Sequence, residues 1–176
     1  MRKLTHEEIV DRQKESTGQP RLNFHIVLNS VRSLYNVGSI FRTSDAVGVG
    51  KIWICGITGH PPSTMISKTA LGAENQVPWE YRSDIEGLLK ELKAQGFQLV
   101  LLEQMESSVS YDQFKPESSV CLIVGNEVEG VSSQITSLCD VAIEIEMVGL
   151  KNSLNVSVAF GVVAYHFRRQ LIQKAR

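Results

Sequence analysis

In "NSVRSLYNVGSIFRT", Asn29 to Thr43, an amide at Asn36 and a guanidinium at Arg42 stand on one helical pattern. Asn36 can cap a helix that begins near Val37, leaving Arg42 on its second turn. The neighbours Ile40, Phe41, Ala46 and Val47 read as a largely buried helix, where a guanidinium needs a partner. That partner is an acid such as Asp45, solvent reached by snorkelling, or a bound phosphate. A second polar cluster, "LIVGNEVEGVS", ends an apolar run with Gly125, projects Asn126 and Glu127, and returns at Gly130. The third is "GLKNSLNVSVAFGVVAYHF", where Asn152, Ser153, Asn155 and Ser157 precede an almost wholly apolar helical stretch. Capping from Asn152 or Ser153 explains one of these side chains and leaves the others to face something polar.

Five short runs carry the pattern of strands covered on both faces: "FHIVLN" at 24, "KIWICG" at 51, "FQLVLLE" at 97, "VCLIVG" at 120 and "VAIEIEM" at 141. Helical segments alternate with them. "GSIFRTSDAV" stops at Gly48, "SDIEGLLKELKAQG" opens at Ser83 or Asp84 and closes at Gly96, and "SSQITSLC" follows Gly130. This alternation implies an α/β fold with a parallel sheet, and "VPWEYR" is an edge-strand candidate because of Pro78. In such sheets ligands bind beyond the carboxyl ends of the strands, where the polar clusters lie. The connection "GITGHPPSTMISKTALGAE" reads as the longest irregular segment, a common place for function. Residues 1–20 form a helical extension with Leu4, Ile9 and Val10 on one side, ahead of Gly18 and Pro20, and residues 21–176 form the main domain.

Composition narrows the classes of function. The chain of 176 residues has a net charge of −1, with five Lys/Arg and four Asp/Glu in residues 1–21, four and none in residues 168–176, and nine against fifteen between them. A uniformly basic nucleic-acid binder is excluded. The basic end "RRQLIQKAR" either complements its own helix dipole or contacts phosphate. Cys55, Cys121 and Cys139 read as buried core residues, and neither they nor His6, His25, His60 and His166 are spaced as metal ligands. With no apolar run of membrane-spanning length and no secretory pattern at the start, the expected location is cytoplasmic. No G-x-G-x-x-G or P-loop spacing occurs, which argues against a Rossmann-type nucleotide site. The apolar body of the last helix needs cover on several sides, for which a second subunit in a symmetric dimer serves.

In order and spacing, "NVGSIFRT", "IVGNEVEG" and "IEIEMVGLKNSLNVSVA" resemble the three motifs of the SpoU (TrmH) branch of the SPOUT methyltransferases, over about residues 23–167. The resemblance implies RNA ribose 2′-O-methylation with S-adenosyl-L-methionine, on a homodimer whose C-terminal region forms a deep trefoil knot. It implies cofactor contacts at Leu102, Gly125, Ile145, Met147, Ser153 and Leu154, and catalytic positions at Asn36, Arg42, Glu127, Ser153 and Asn155. Arg42 is then either a perturbed general base or a clamp that holds phosphate and aligns the hydroxyl. A free guanidinium stays protonated well above neutral pH, which makes the first role awkward. The compact build favours tRNA over rRNA as substrate. A non-catalytic RNA-binding protein of the same fold is the alternative from another class.

Overall fold

The computed structural model describes residues 1–16, 20–126 and 130–174. In chain order the elements are α1 (His6–Ser16), β1 (Leu22–Asn29), α2 (Leu34–Val47), β2 (Val49–Cys55), α3 (Thr64–Ala70), a 3₁₀ turn (Ala73–Asn75), β3 (Trp79–Arg82), α4 (Ile85–Ala94) and β4 (Gln98–Leu102). They continue with β5 (Val109–Ser110), β6 (Val120–Val124), α5 (Ser133–Thr136), β7 (Val141–Glu144) and α6 (Val156–Lys174). Seven strands form one sheet in the order β3-β2-β1-β6-β4-β7-β5, and every pairing is parallel. The five expected strands are all present, and the Pro78 segment is the edge strand β3. The two-residue β5 has no sequence pattern of its own and was not anticipated.

Alternation along the strands sends side chains to two cores. Phe24, Ile26 and Leu28 of β1 pack with Val37, Ile40 and Phe41 of α2 and with Phe160, Val163 and Phe167 of α6. On the other face, Val27, Trp53, Leu99, Leu101 and Ile123 meet Leu88, Leu89 and Leu92 of α4 and Ile135 of α5. Removing one of the fully buried rings, Phe160 for example, would cost about 3–5 kcal/mol.

Local signals set the helix ends, with two corrections. The cap of α2 is Ser33, whose Oγ accepts from the Asn36 N–H at 3.3 Å; Asn36 therefore lies inside the first turn and is not the cap. The last helix starts at Val156, later than Asn152 or Ser153, because Asn155 caps it: Asn155 Oδ1 accepts from the Ser157 N–H at 3.0 Å and from Ser157 Oγ at 2.7 Å. At the other end of α2, Gly48 takes φ 82° and donates to the carbonyls of Ser44 and Asp45. The long connection after β2 is also more ordered than its composition implied, since it contains α3 and the 3₁₀ turn. Gly38 allows α3 to approach; a Cβ there would run into the Thr69 side chain and the Ile66 carbonyl.

Candidate active site

The strand order reverses between β1 and β6, so the crevice expected in this architecture lies at the carboxyl ends of the central strands. A cleft opens close by, at the ends of β4 and β7. Leu102, Glu103 and Gln104 form one wall, Glu144, Ile145 and Met147 the second, and Ser153, Leu154 and Ala159 the third. Backbone pairing continues past β4, with the Glu103 N–H donating to the Ile143 carbonyl at 3.0 Å, which places Glu103 and Glu144 at the cleft. Gln104 Nε2 donates to the Asn152 carbonyl at 2.7 Å and ties the segment before α6 to the end of β4. The enclosed volume is ≈ 100 Å³, well below the ~300 Å³ of a small ligand pocket. Val148 and Leu150 beside it are exposed, so a ligand larger than one ring system would lie across the open side.

Five of the six expected cofactor contacts, Leu102, Ile145, Met147, Ser153 and Leu154, line this cleft. Gly125 is outside the lining. A Cβ on it would meet the Val131 side chain and lie 2.9 Å from the Gly130 carbonyl oxygen, so it permits the turn to close on itself. Gly130 has φ 64°, and a Cβ on it would lie 2.9 Å from Glu103 Oε2. Gly130 therefore borders the cleft through Glu103. Glu103, Gln104, Glu144 and Ala159 were missed as lining residues. The rule that ligands sit beyond strand carboxyl ends would have found the first three.

The polar clusters meet in space. Asn155 Nδ2 donates to Asn36 Oδ1 at 3.1 Å, joining the starts of α6 and α2 across 119 residues of chain. Asn155 Oδ1 is already engaged by Ser157, which directs the amide nitrogen towards Asn36. Asn126, only 5% exposed, donates from Nδ2 to the Ser30 carbonyl at 3.1 Å and fixes the lead-in to α2. Ser30 itself has φ 59°, the left-handed region, so the chain turns sharply between β1 and α2. Glu127, a candidate catalytic residue, lies outside the described residues.

Arg42 is exposed, contrary to the expectation of a largely buried helix, because the buried stripe of α2 runs through Val37, Ile40, Phe41, Ser44 and Val47 and misses it. Asp45 does not hold it; that carboxylate pairs with Arg21 Nη2 at 2.9 Å. Ser153 and Asn155 are exposed as well. A guanidinium on an exposed helix face can grip a phosphate by its planar fork.

The thiols are not candidate nucleophiles. Burial pushes Cys55 up to about 12, Cys139 up to about 11 and Cys121 higher still, keeping all of them protonated at neutral pH. The basic end of the chain is partly structural. Arg168 Nη1 donates to the Val47 carbonyl at 2.6 Å, Lys174 Nζ donates to the Pro116 carbonyl at 2.8 Å, and Leu171 between them is buried. Arg169 remains exposed.

Comparison with known proteins agrees with this geometry. The model of the SpoU rRNA Methylase family matches residues 23–165. A tRNA (guanosine(18)-2′-O)-methyltransferase of Aquifex aeolicus is 32% identical over 174 residues, covering 99% of this chain and 82% of that one. The crystal structure of the A. aeolicus TrmH/SpoU tRNA modifying enzyme superposes with a TM-score of 0.83 at 31% identity, over 96% of this chain and 85% of the other. An AdoMet-bound rRNA methyltransferase from Sinorhizobium meliloti gives 0.79 at 28% identity, over 84% and 56%. The chain spans 64% of the length of Staphylococcus aureus relatives named for the TrmH family of tRNA/rRNA methyltransferases, at 30% identity over 164 residues and 93% of this chain.

Proposed function

This chain belongs to the SpoU rRNA Methylase family, and we propose that it is an enzyme that methylates a ribose 2′-hydroxyl of RNA with S-adenosyl-L-methionine. The observation that carries the proposal is the junction of the polar clusters beside one cleft: Asn36 bonded to Asn155 at 3.1 Å, and Asn126 to Ser30 at 3.1 Å.

The cleft suits the cofactor by its chemistry. Leu102, Ile145, Met147 and Leu154 give an apolar seat for a flat heteroaromatic ring, and the carboxylates of Glu103 and Glu144 favour a ligand that carries positive charge. When bound, the cofactor supplies an activated methyl group on a positively charged sulfur. The protein's own task is alignment. The Asn36–Asn155 pair holds α2 and α6 in one relation, and Arg42 clamps an RNA phosphate bidentately so that the neighbouring 2′-hydroxyl is presented in line. Such positioning can contribute several powers of ten in rate without a strong base. Ser153, on the lining, would border both the donor and the acceptor.

Three further parts belong to this reading. A homodimer is supported by the face of α6 that leaves Val158, Val162 and Tyr165 exposed at helical spacing. The deep trefoil knot is supported by the strand order, which sets β7 between β4 and β5, so that the 103–108 connection crosses β7 near its carboxyl end. The tRNA preference is supported by the name of the Aquifex relative, which matches 99% of this chain; the rRNA methyltransferase among the similar structures supports rRNA as the second reading. We further read the reaction as cytoplasmic and residues 1–20 as an extension to the methyltransferase domain, since the family match begins at residue 23.

Titration calorimetry with S-adenosyl-L-methionine tests the proposal. Saturable binding that weakens in Leu154→Asp is the expected result. A silent titration with folded wild-type protein would overturn the catalytic reading and favour a non-catalytic RNA-binding module.

A further inference from the structure

Away from the cleft, at the β3 edge of the sheet, four aromatic rings run from the core to the surface. Buried Phe41 meets Trp79 edge-on, with centroids 6.5 Å apart and planes at 88°. His60 stacks on Trp79 at 5.6 Å and 25°, and Tyr81 tilts against His60 at 5.5 Å and 48°. The outer two rings are exposed, Tyr81 by 42%. A cluster whose purpose was core packing would bury them.

Their polar tips are already committed. His60 Nδ1 donates to the Pro61 carbonyl at 2.8 Å, and the Tyr81 hydroxyl donates to the Gly56 carbonyl at 3.1 Å. With the tips tied to backbone, the rings are held before any ligand arrives, and both keep ring surface exposed. Ordering cost is thereby removed from binding.

Location connects this surface to the catalytic helix. Tyr81 lies near the carboxyl end of β3, paired in register with Ile54, on the rim from which the β1–α2 turn also emerges. Thr58 joins the two, accepting from the Val31 N–H at 2.9 Å and donating to the Leu28 carbonyl at 3.1 Å. Gly59, next to His60, packs so closely on Leu34 of α2 that a Cβ would collide with it. On α2, Tyr35 is 48% exposed and lies two helical turns before Arg42, on the same face. Arg42 on this face of α2 and Lys68 on α3, the helix that follows His60, are exposed, so cations accompany the apolar faces. Aromatic faces interspersed with basic side chains match an unpaired nucleotide, whose base stacks while its phosphate is drawn to positive charge.

We propose that His60 and Tyr81, backed by Trp79, form a platform on which an unpaired base of the RNA substrate stacks, outside the methyl-transfer cleft. The proposal rests on the RNA-methyltransferase reading above and adds a positioning surface to it.

The experiment measures binding of unmodified tRNA transcripts by fluorescence anisotropy for wild type, His60→Ala, Tyr81→Ala, His60→Phe and Tyr81→Phe. S-adenosyl-L-methionine affinity and sedimentation are followed in parallel. Loss of stacking predicts Kd values roughly five- to a hundredfold higher for the alanine variants, with the phenylalanine variants close to wild type, since a ring of any kind restores the π face. Cofactor affinity and sedimentation should not change. Alanine variants that keep the wild-type Kd while the wild type methylates RNA would remove the platform and leave the enzyme reading intact. A fall in RNA affinity that accompanies altered sedimentation would overturn the proposal by identifying a subunit contact. Wild-type protein that binds neither tRNA nor single-stranded ribosomal RNA transcripts would remove both.

Discussion

Arg42 and Asn36 share a helix, yet their surroundings differ. Asn36 is half-buried and bonded to Asn155, whereas Arg42 is exposed. Arg42→Ala should lower methylation by at least about a hundredfold, the scale of lost positioning, with S-adenosyl-L-methionine binding unchanged by calorimetry. Arg42→Lys should fail similarly, because an ammonium cannot reproduce the planar fork. A lysine variant with near wild-type turnover would show that charge alone suffices. His25 supplies a residue-scale test of stability. It stacks on Phe97 at 4.4 Å, accepts from Trp53 Nε1 at 3.3 Å, and is held down to about 4 by burial and then by Lys51. An unfolded chain takes up this proton near pH 6.5, before the native state does. Stability from His25 is thus present above pH 6.5 and is lost as pH falls towards about 4. Urea midpoints measured across that window should fall less steeply in His25→Gln than in wild type.

At the scale of elements, Gly38 has a structural role inside a motif that looks purely chemical. It lets α3 lie against α2, and α2 carries the candidate catalytic residues. Gly38→Ala should destabilise the protein by about 1–3 kcal/mol, the range for overpacking, as measured by urea unfolding; an unchanged midpoint would mean that α3 moves freely. The sequence made α2, α4 and the five main strands legible because their apolar periodicity is strong and Asp84 and Gly48 mark two of their ends; the start of α2 was read late, at Asn36, where Ser33 is the cap. It concealed the start of α6, since Asn152, Ser153 and Asn155 are equally good caps and only tertiary contact with Asn36 selects the last. It concealed α3 too, a seven-residue helix whose polar residues and flanking prolines resemble a loop. The cleft was legible in Leu102, Ile145, Met147, Ser153 and Leu154. Glu103 and Glu144 went unread although they sit at strand carboxyl ends, because a carboxylate there looks like any solvated surface group until pairing with the neighbouring strand aims it.

The whole molecule leaves an apolar strip on α6 that its own sheet cannot cover. Val158 is 52% exposed, Val162 36% and Tyr165 55%, and they lie on the side away from Phe160, Val163 and Phe167. Val158→Asp should shift sedimentation from dimer to monomer while leaving the far-ultraviolet dichroism intact. Wild-type protein that sediments as a monomer at micromolar concentration would remove the dimer from the account. At this scale the basic carboxyl-terminal stretch is partly structural, since Arg168 and Lys174 hold the last helix to the body of the protein.

The central claim is that a methyl group reaches a ribose oxygen and no other atom. Nucleoside mass spectrometry of unmodified tRNA and rRNA transcripts, after incubation with the protein and S-adenosyl-L-methionine, reads this directly. The account predicts a methylated nucleoside whose added mass stays with the sugar on fragmentation and whose 3′ linkage resists alkali. A methyl group on a base, or none from protein that is folded and binds the cofactor, would contradict it.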